Sequence, residues 1–200
     1  MKKQIIFVTA TNTDVGKTHA CEVLLNKFAA EGKEVGYFKP IETGVENEPL
    51  DGTKLLKTAK KLNKKFDVTI DDVVPYRFEL PAAPFVAKGK AKISIEMIKQ
   101  KAQYLLGFCD TLIIEGAGGL MVPIEKNYFM IDLIKEFDCK TYLITPSNLG
   151  SINDTLLSIN ILENYGIDYE WYINLYKDIK SFETVTLPFY KEYFDTIKYI

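Results

Sequence analysis

Residues 5–18, IIFVTATNTDVGKT, decide the fold: an apolar run from Ile5 to Ala10 passes through a short polar loop into Gly16-Lys17-Thr18 and then an amphipathic stretch. A strand that ends in a tight loop before a helix aims successive backbone N–H groups, and the positive end of the helix dipole, at one spot suited to a polyphosphate. Lys17 supplies a mobile positive charge for β and γ phosphoryl groups, and Thr18 a hydroxyl for Mg²⁺. The usual loop pattern, G-x-x-x-x-G-K-S/T, asks for glycine where Thr11 stands, so the bare match is imperfect. An ordinary strand-to-helix turn would leave Lys17 solvated; the strand before the loop and the helix after it favour nucleotide binding.

Outward from this loop, apolar strand-like runs alternate with helical patterns. IIFVTA (5–10), EVGYFKP (34–40), TLIIEG (111–116), TYLIT (141–145) and EWYINLY (170–176) are continuous rather than alternating, as in strands covered on both faces. Helical spacing predicts helices near 17–31, 51–64, 94–107, 129–137 and 151–165. Gly32 and Gly166 stand where C-terminal caps belong, and Ser94 where an N-cap does, though Met97 replaces the glutamate of a capping box. This order predicts an α/β domain: three layers, with a mostly parallel central sheet joined by right-handed crossovers and flanked by helices. Two hundred residues, 47% of them hydrophobic, suit one such domain over 1–200. Pro75, Pro81 and Pro84 make residues 75–90 a connector, without a composition shift that would mark a second domain.

A net charge of −2 gives no electrostatic case for nucleic-acid or anionic-membrane partners. The sequence lacks a signal-peptide pattern and any apolar run of about 20 residues, so a cytoplasmic protein is expected. Cys21, Cys109 and Cys139 are odd in number, widely spaced and set in apolar segments, as small core residues of a reducing compartment are. His19, the single histidine, has no partner at metal-ligand spacing. Lys57, Lys60, Lys61, Lys64 and Lys65 read as a solvated helix face rather than a docking face. Tyr190, Tyr193, Phe194 and Tyr199 read as a short helix packed on the sheet rather than a partner surface.

Two further segments carry chemistry. EVGYFKP delivers Lys39 to the C-terminal end of a strand, the edge where open parallel sheets bind ligands and where the phosphate loop also lies. Pro40 stiffens the exit, and Glu42, Thr43 and Gly44 form a polar loop beside the γ-phosphate position. TLIIEGAGGL ends an apolar strand in Glu115, where phosphate-loop proteins keep an acid for Mg²⁺ or its waters. Gly116, Gly118 and Gly119 let backbone approach a ligand. Asp51, at the start of a helix, is a metal candidate or an N-cap, and the residues alone leave both open. NLGSINDTLL (148–157) places Gly150, Ser151 and Asn153 at a helix start, whose N–H groups suit a carboxylate or phosphate; capping explains the pattern equally well.

Taken together, FVTATNTDVGKT, YFKPIETG, IIEGAGGLMVP and NLGSINDTLL, collinear from residue 5 to about residue 190, resemble the ATP-dependent dethiobiotin synthetases of biotin biosynthesis. The resemblance implies a homodimeric ligase of the P-loop class that closes the ureido ring of dethiobiotin from 7,8-diaminononanoate and CO₂ or bicarbonate, with ATP as co-substrate and Mg²⁺. By the same resemblance Lys17 and Lys39 are catalytic. The nucleotide contacts fall on Thr13, Asp14, Val15, Gly16, Lys17, Thr18 and Glu115, with Asn174 for the base and Pro188 on the following nucleotide-side loop. The metal positions fall on Thr18, Asp51 and Glu115. Substrate contacts fall on Thr11, Lys39, Thr43 and Gly118, while Gly150, Ser151 and Asn153 receive the substrate carboxylate from the neighbouring subunit, so that active sites lie across the interface. The chain departs from the family at Ala10, often Gly, at Asp14, often Glu, and at Asn174-Leu175, often Asn-Asp; the last removes an acceptor that would help to read adenine. Two competing functions remain on the residues alone: another P-loop ligase activating a different carboxylate, which would release phosphate with some other acid, and a nucleotide-switched regulatory ATPase, which would show slow basal hydrolysis and a partner surface.

Overall fold

Strands whose two faces are both covered need no polar face, and the apolar runs fold accordingly. The computed structural model describes residues 3–176 and 179–200. Along the chain come β1 (Gln4–Ala10), α1 (Lys17–Ala30), β2 (Val35–Phe38), β3 (Ile41–Thr43), α2 (Leu50–Leu62), α3 (Ile70–Val73), β4 (Tyr76–Phe78), α4 (Pro84–Ala87) and α5 (Ile95–Leu105). Then follow β5 (Thr111–Gly119), β6 (Pro123–Glu125), β7 (Tyr128–Phe129), α6 (Met130–Phe137), β8 (Lys140–Pro146), α7 (Ser151–Asn164), β9 (Tyr169–Asn174), α8 (Ile179–Ser181), a π-helical turn (Phe182–Thr186) and α9 (Leu187–Tyr193). The central sheet has five strands in the order β2-β5-β1-β8-β9, and every pairing in it is parallel.

Phe7 and Val8 of β1, Ile113 and Ile114 of β5 and Leu143 and Ile144 of β8 are fully buried at its centre. Leu24 and Leu25 of α1, Ile98 of α5, Ile131 and Ile134 of α6 and Leu162 of α7 cover them within one core. Crossover helices on both faces are what a parallel sheet of this order requires. The expected helix ends hold: Gly32 (φ 81°) and Gly166 (φ 66°) follow α1 and α7 in the left-handed region, and the Ser94 hydroxyl accepts the Met97 N–H at 3.2 Å. No helix among the described residues is long and apolar enough to cross a membrane.

Three expectations need correction. Residues 75–90 are more than a connector: β4 pairs in parallel with β3, and α4 follows with Pro84 at its start. Three-residue strands offer too few positions for alternation to show, so the prolines dominated the pattern. The run 34–40 stops as a strand at Phe38, because the Lys39 N–H turns away to the Val73 carbonyl at 2.9 Å. Tyr199 lies beyond the C-terminal helix and forms an isolated bridge with Ile173, whereas Tyr190 packs as expected, fully buried and edge-on to Trp171.

Candidate active site

The loop after β1 is shaped by two left-handed residues, Asp14 (φ 57°) and Gly16 (φ 100°). Thr11 has no positive φ, so a side chain costs nothing where the usual pattern has glycine. Gly16 is different: a Cβ there would sit 2.0 Å from the Asn174 amide nitrogen. Gly16 also begins α1, and among the described residues no side chain caps that helix, leaving its first-turn N–H groups available to an anion. Lys17 folds back so that its ammonium donates to the Asn12 carbonyl at 2.9 Å. Burial lowers the Lys17 pKa, with Glu115 working against that shift.

β1 and β5 share a register irregularity that builds the opposite wall. Val8 pairs with Glu115 but Ala10 pairs with Gly119, so β5 spends four residues where β1 spends two and the chain bulges at Gly116–Gly118. Glycine is required at the bulge: Gly118 has φ +69°, and a Cβ on Gly119 would stand 2.8 Å from the Thr11 carbonyl oxygen. The expected glycine loop is therefore the end of a strand, β5 running on to Gly119.

Between these walls lies a cluster of charge. Lys39 donates to Asp51 Oδ2 at 2.5 Å and to Glu115 Oε1 at 2.8 Å. The same Oε1 accepts the Thr18 hydroxyl at 2.9 Å, and Glu115 Oε2 accepts the Tyr37 hydroxyl at 2.8 Å. Lys39 and Glu115 are 5% and 1% exposed, so each charge exists only because the other is there. Burial pulls the Lys39 pKa down, but the carboxylates of Glu115, Asp51 and Glu42 outweigh it and hold the ammonium charged well above the ordinary lysine range. Burial likewise opposes ionisation of Asp51, and Lys39 reverses this, lowering its pKa.

Asp51 is not an N-cap. Pro49 occupies that position, and Asp51 sits in the first turn with its side chain turned to Lys39. The helix start is capped from elsewhere: the Glu42 carboxylate accepts the backbone N–H of Asp51 at 3.1 Å and of Gly52 at 3.0 Å. Burial raises the Glu42 pKa. Glu42 thus aims α2, and through it Asp51, at the phosphate loop.

The cleft has a volume of about 750 Å³ and is lined by Thr13, Asp14, Gly16, Lys17, Thr18, Lys39, Thr43, Asp51, Glu115 and Gly118 among others, with Ile41, Val122 and the Pro81–Pro84 segment as its apolar rim. Ten residues singled out by sequence thus meet in one crevice. Val15 is buried within the loop, and Thr11 is half-buried with its hydroxyl unpartnered among the described residues. Asn174 is buried at the end of β9 and donates to the Val15 carbonyl at 2.9 Å, bracing the loop from behind. Pro188, expected on a loop, lies exposed in the first turn of α9, because the chain after β9 is helical there. Gly150, Ser151 and Asn153 are at the start of α7 as expected but do not line the cleft of their own chain. Ser151 is buried, with the Tyr190 hydroxyl 3.4 Å from its Oγ, while Asn153 is exposed.

Tyr37 and Asn12 escaped the sequence reading, and Glu42, expected in a polar loop beside the γ-phosphate, instead caps α2. For Tyr37 the signal was present: it stands in the same apolar run two residues before Lys39, where alternation along an extended chain directs both to one side.

Comparison with known proteins gives the family and the fold. A family model described as an AAA domain matches residues 4–171. The ATP-dependent dethiobiotin synthetase BioD of Sulfurovum sp. is 50% identical over 190 residues, covering 94% of this chain and 90% of that relative. The protein of the same name from Wolinella succinogenes is 36% identical, covering 94% and 88%, and that from Methanocaldococcus jannaschii 33% identical, covering 97% and 88%. Among solved structures, the MinD cell division protein of Aquifex aeolicus superposes with a TM-score of 0.53 at 18% identity, covering 90% of this chain and 72% of that one. A plasmid partition protein of Borrelia burgdorferi bound to AMPPNP gives 0.59 at 15% identity, covering 100% and 87%. Those two show the fold alone, whereas near-full-length identity of 33–50% is shared descent, and the chain belongs to the family of ATP-dependent dethiobiotin synthetases.

Proposed function

We propose that this protein closes the ureido ring of dethiobiotin from 7,8-diaminononanoate, CO₂ and ATP, as a cytoplasmic homodimer. The observation that carries the reading is the position of Lys39, buried between Asp51 and Glu115 in the cleft that the phosphate loop opens into. A lysine used only for nucleotide binding would need no such pair of acids.

The residues fit Mg²⁺. Among the described residues no group of three or more His, Cys, Asp or Glu side chains is placed to hold a metal by itself. The carboxylates of Asp51 and Glu115 and the hydroxyl of Thr18 are nonetheless hard oxygen donors, and the two carboxylates already flank one cation, the Lys39 ammonium. Few protein ligands completed by phosphates and water is the habit of Mg²⁺. Held there, Mg²⁺ would neutralise charge on the β and γ phosphoryl oxygens.

The chain's own groups suit each remaining step. One amine of the diamine takes up CO₂, losing a proton, to give a carbamate. The Lys39 ammonium and the backbone of Gly116–Gly119 stabilise its negative charge. A carbamate oxygen attacks the γ-phosphorus in line and ADP leaves, with Lys17 and Lys39 stabilising the equatorial oxygens. The product is a carbamic–phosphoric anhydride. The second amine, tethered by the same aliphatic chain, attacks the carbamoyl carbon, the carbon–oxygen bond to phosphate breaks, and the departing phosphate takes the amine proton; intramolecular attack avoids the entropic cost of bringing two molecules together. The apolar rim of Ile41, Val122 and Pro81–Pro84 suits that chain. The exposed start of α7 is where a partner subunit would meet the carboxylate end, since a helix N-terminus favours an anion.

The test is to incubate the protein with 7,8-diaminononanoate, bicarbonate, Mg²⁺ and each nucleoside triphosphate in turn and to look for dethiobiotin by mass spectrometry. Dethiobiotin with ATP is expected. Phosphate release only with some other acid, or slow hydrolysis indifferent to the diamine, overturns the reading.

A further inference from the structure

We propose that Tyr37 is a positioning residue for this reaction: its hydroxyl fixes the carboxylate of Glu115 so that one oxygen faces the cleft and the other is held against the core. The inference rests on the function proposed above for what the cleft does, but its geometry stands apart. β2 lies beside β5 in parallel, with Tyr37 opposite Ile113 and Phe38 opposite Ile114. Residues two apart share a strand face, so Glu115 is directed to the same side of the sheet as Ile113 and its partner Tyr37, and Lys39 reaches Glu115 from just beyond the end of β2. The two oxygens of Glu115 are then divided between two surroundings. Oε1 takes the donors that belong to the cleft, Thr18 at 2.9 Å and Lys39 at 2.8 Å. Oε2 takes the Tyr37 hydroxyl at 2.8 Å, and Tyr37 is fully buried.

A terminal carboxylate torsion is broad and leaves the plane of the group free to swing. Lys39 and Thr18 both bind the same oxygen and both line the cleft, so neither holds the second oxygen. Of these three partners only the tyrosine is anchored outside the cleft, where the small, fully buried Cys21 thiol also meets Glu115. Its ring is fixed in the core, so its hydroxyl is a rigid reference from which Glu115 is aimed. Groups that orient a cation-binding carboxylate from behind typically change metal affinity or activity by about 10–100-fold when removed.

The experiment uses Tyr37→Phe, which deletes one oxygen atom and leaves the ring. Dethiobiotin formation is followed against Mg²⁺ concentration, Mg²⁺-dependent binding of a non-hydrolysable ATP analogue is measured by calorimetry, and the ligand-free protein is melted. A fall in kcat of about tenfold and a rise in the Mg²⁺ half-saturation of several-fold in both assays are expected, with KM for the diamine within about twofold of wild type. A variant with wild-type kcat and Mg²⁺ response, lowered only in Tm, overturns the assignment and leaves the hydroxyl a stability role. Should Y37F not fold, 3-fluorotyrosine installed at position 37 keeps the packing and alters only the donor; an unchanged Mg²⁺ half-saturation then overturns it. If the wild type forms no dethiobiotin, the proposed function fails, while the calorimetric Mg²⁺ dependence still decides the role of Tyr37.

Discussion

Two helices of this molecule begin in the same way and end up in opposite circumstances. α1 starts at Gly16 (φ 100°) and α7 at Gly150 (φ 93°), both left-handed glycines, and neither start receives a side-chain cap among the described residues. Around the start of α1 the chain itself supplies Lys17, Lys39, Asp51 and Glu115 and encloses them in a cleft. Around the start of α7 it supplies little: Leu149 is 76% exposed and Asn153 faces solvent. Similar local geometry therefore has different chemical worth. Enclosure lowers the local dielectric and strengthens each charge at α1, whereas at α7 water screens the same dipole. The first is enclosed by its own chain; the second becomes a site only if something covers it.

The largest effect expected is at the enclosed end. Lys17→Ala and Lys39→Ala should each cut diamine-dependent phosphate release by at least about a hundredfold, with circular dichroism unchanged. A wild-type rate for either variant removes that lysine from the chemistry and weakens the contrast between the two helix starts. Next comes the open end. Asn153→Ala should be inactive alone, and mixing it with Lys17→Ala under subunit exchange should restore about a quarter of the wild-type rate, the share of intact sites from random pairing. No recovery would mean that α7 is covered by nothing catalytic.

A smaller effect separates the two glycines. Gly16→Ala forces a Cβ against Asn174 at a positive φ and should destabilise by roughly 1–3 kcal/mol, besides weakening nucleotide binding. Gly150→Ala meets nothing within 4 Å among the described residues, so only the backbone strain remains and its melting temperature should fall less. Equal losses would erase the difference drawn between them.

The smallest effect is in the pH dependence. The Asp51 pKa is lowered by Lys39, so the stability this pair adds is present above the ordinary aspartate value of about 3.9 and is lost as pH falls through the lower folded value. Glu42, raised by burial, has the opposite sign: its contribution is present at low pH and lost as pH rises through its folded value. Thermal melts of Asp51→Asn against wild type should therefore differ most near neutrality and converge in acid. A gap that widens as pH falls would contradict the pairing.

The regular elements were legible because their signals are local. Ile5 to Ala10, Thr111 to Gly116 and Thr141 to Thr145 announce covered strands by composition, and Gly32, Ser94 and Gly166 mark helix ends by backbone geometry that few other residues satisfy. The short pieces were not: β3, β4 and α4 carry three or four residues each, and their pairing depends on where Ile41 and Tyr76 meet in space. The site followed the same rule. Lys17, Lys39 and Glu115 were visible as strand-end and loop residues. Asp51 stood level with a capping role until Glu42, nine residues earlier, was found to cap α2 in its place.

Sequence by itself determined that a phosphate loop follows the first strand, that a parallel sheet carries it, and that two lysines and an acid reach one edge, because period, strand composition and glycine placement act over a few residues. Tertiary structure alone decided how those charges are spent. Lys39 lies between Asp51 and Glu115, Tyr37 holds Glu115 from the core side, and Asn174 braces the loop at Val15, and none of these pairs is fixed by spacing along the chain. A buried charge is stable only with its partner in place, and partners 76 and 159 residues apart are brought together by the packing of the sheet and by nothing in the local sequence.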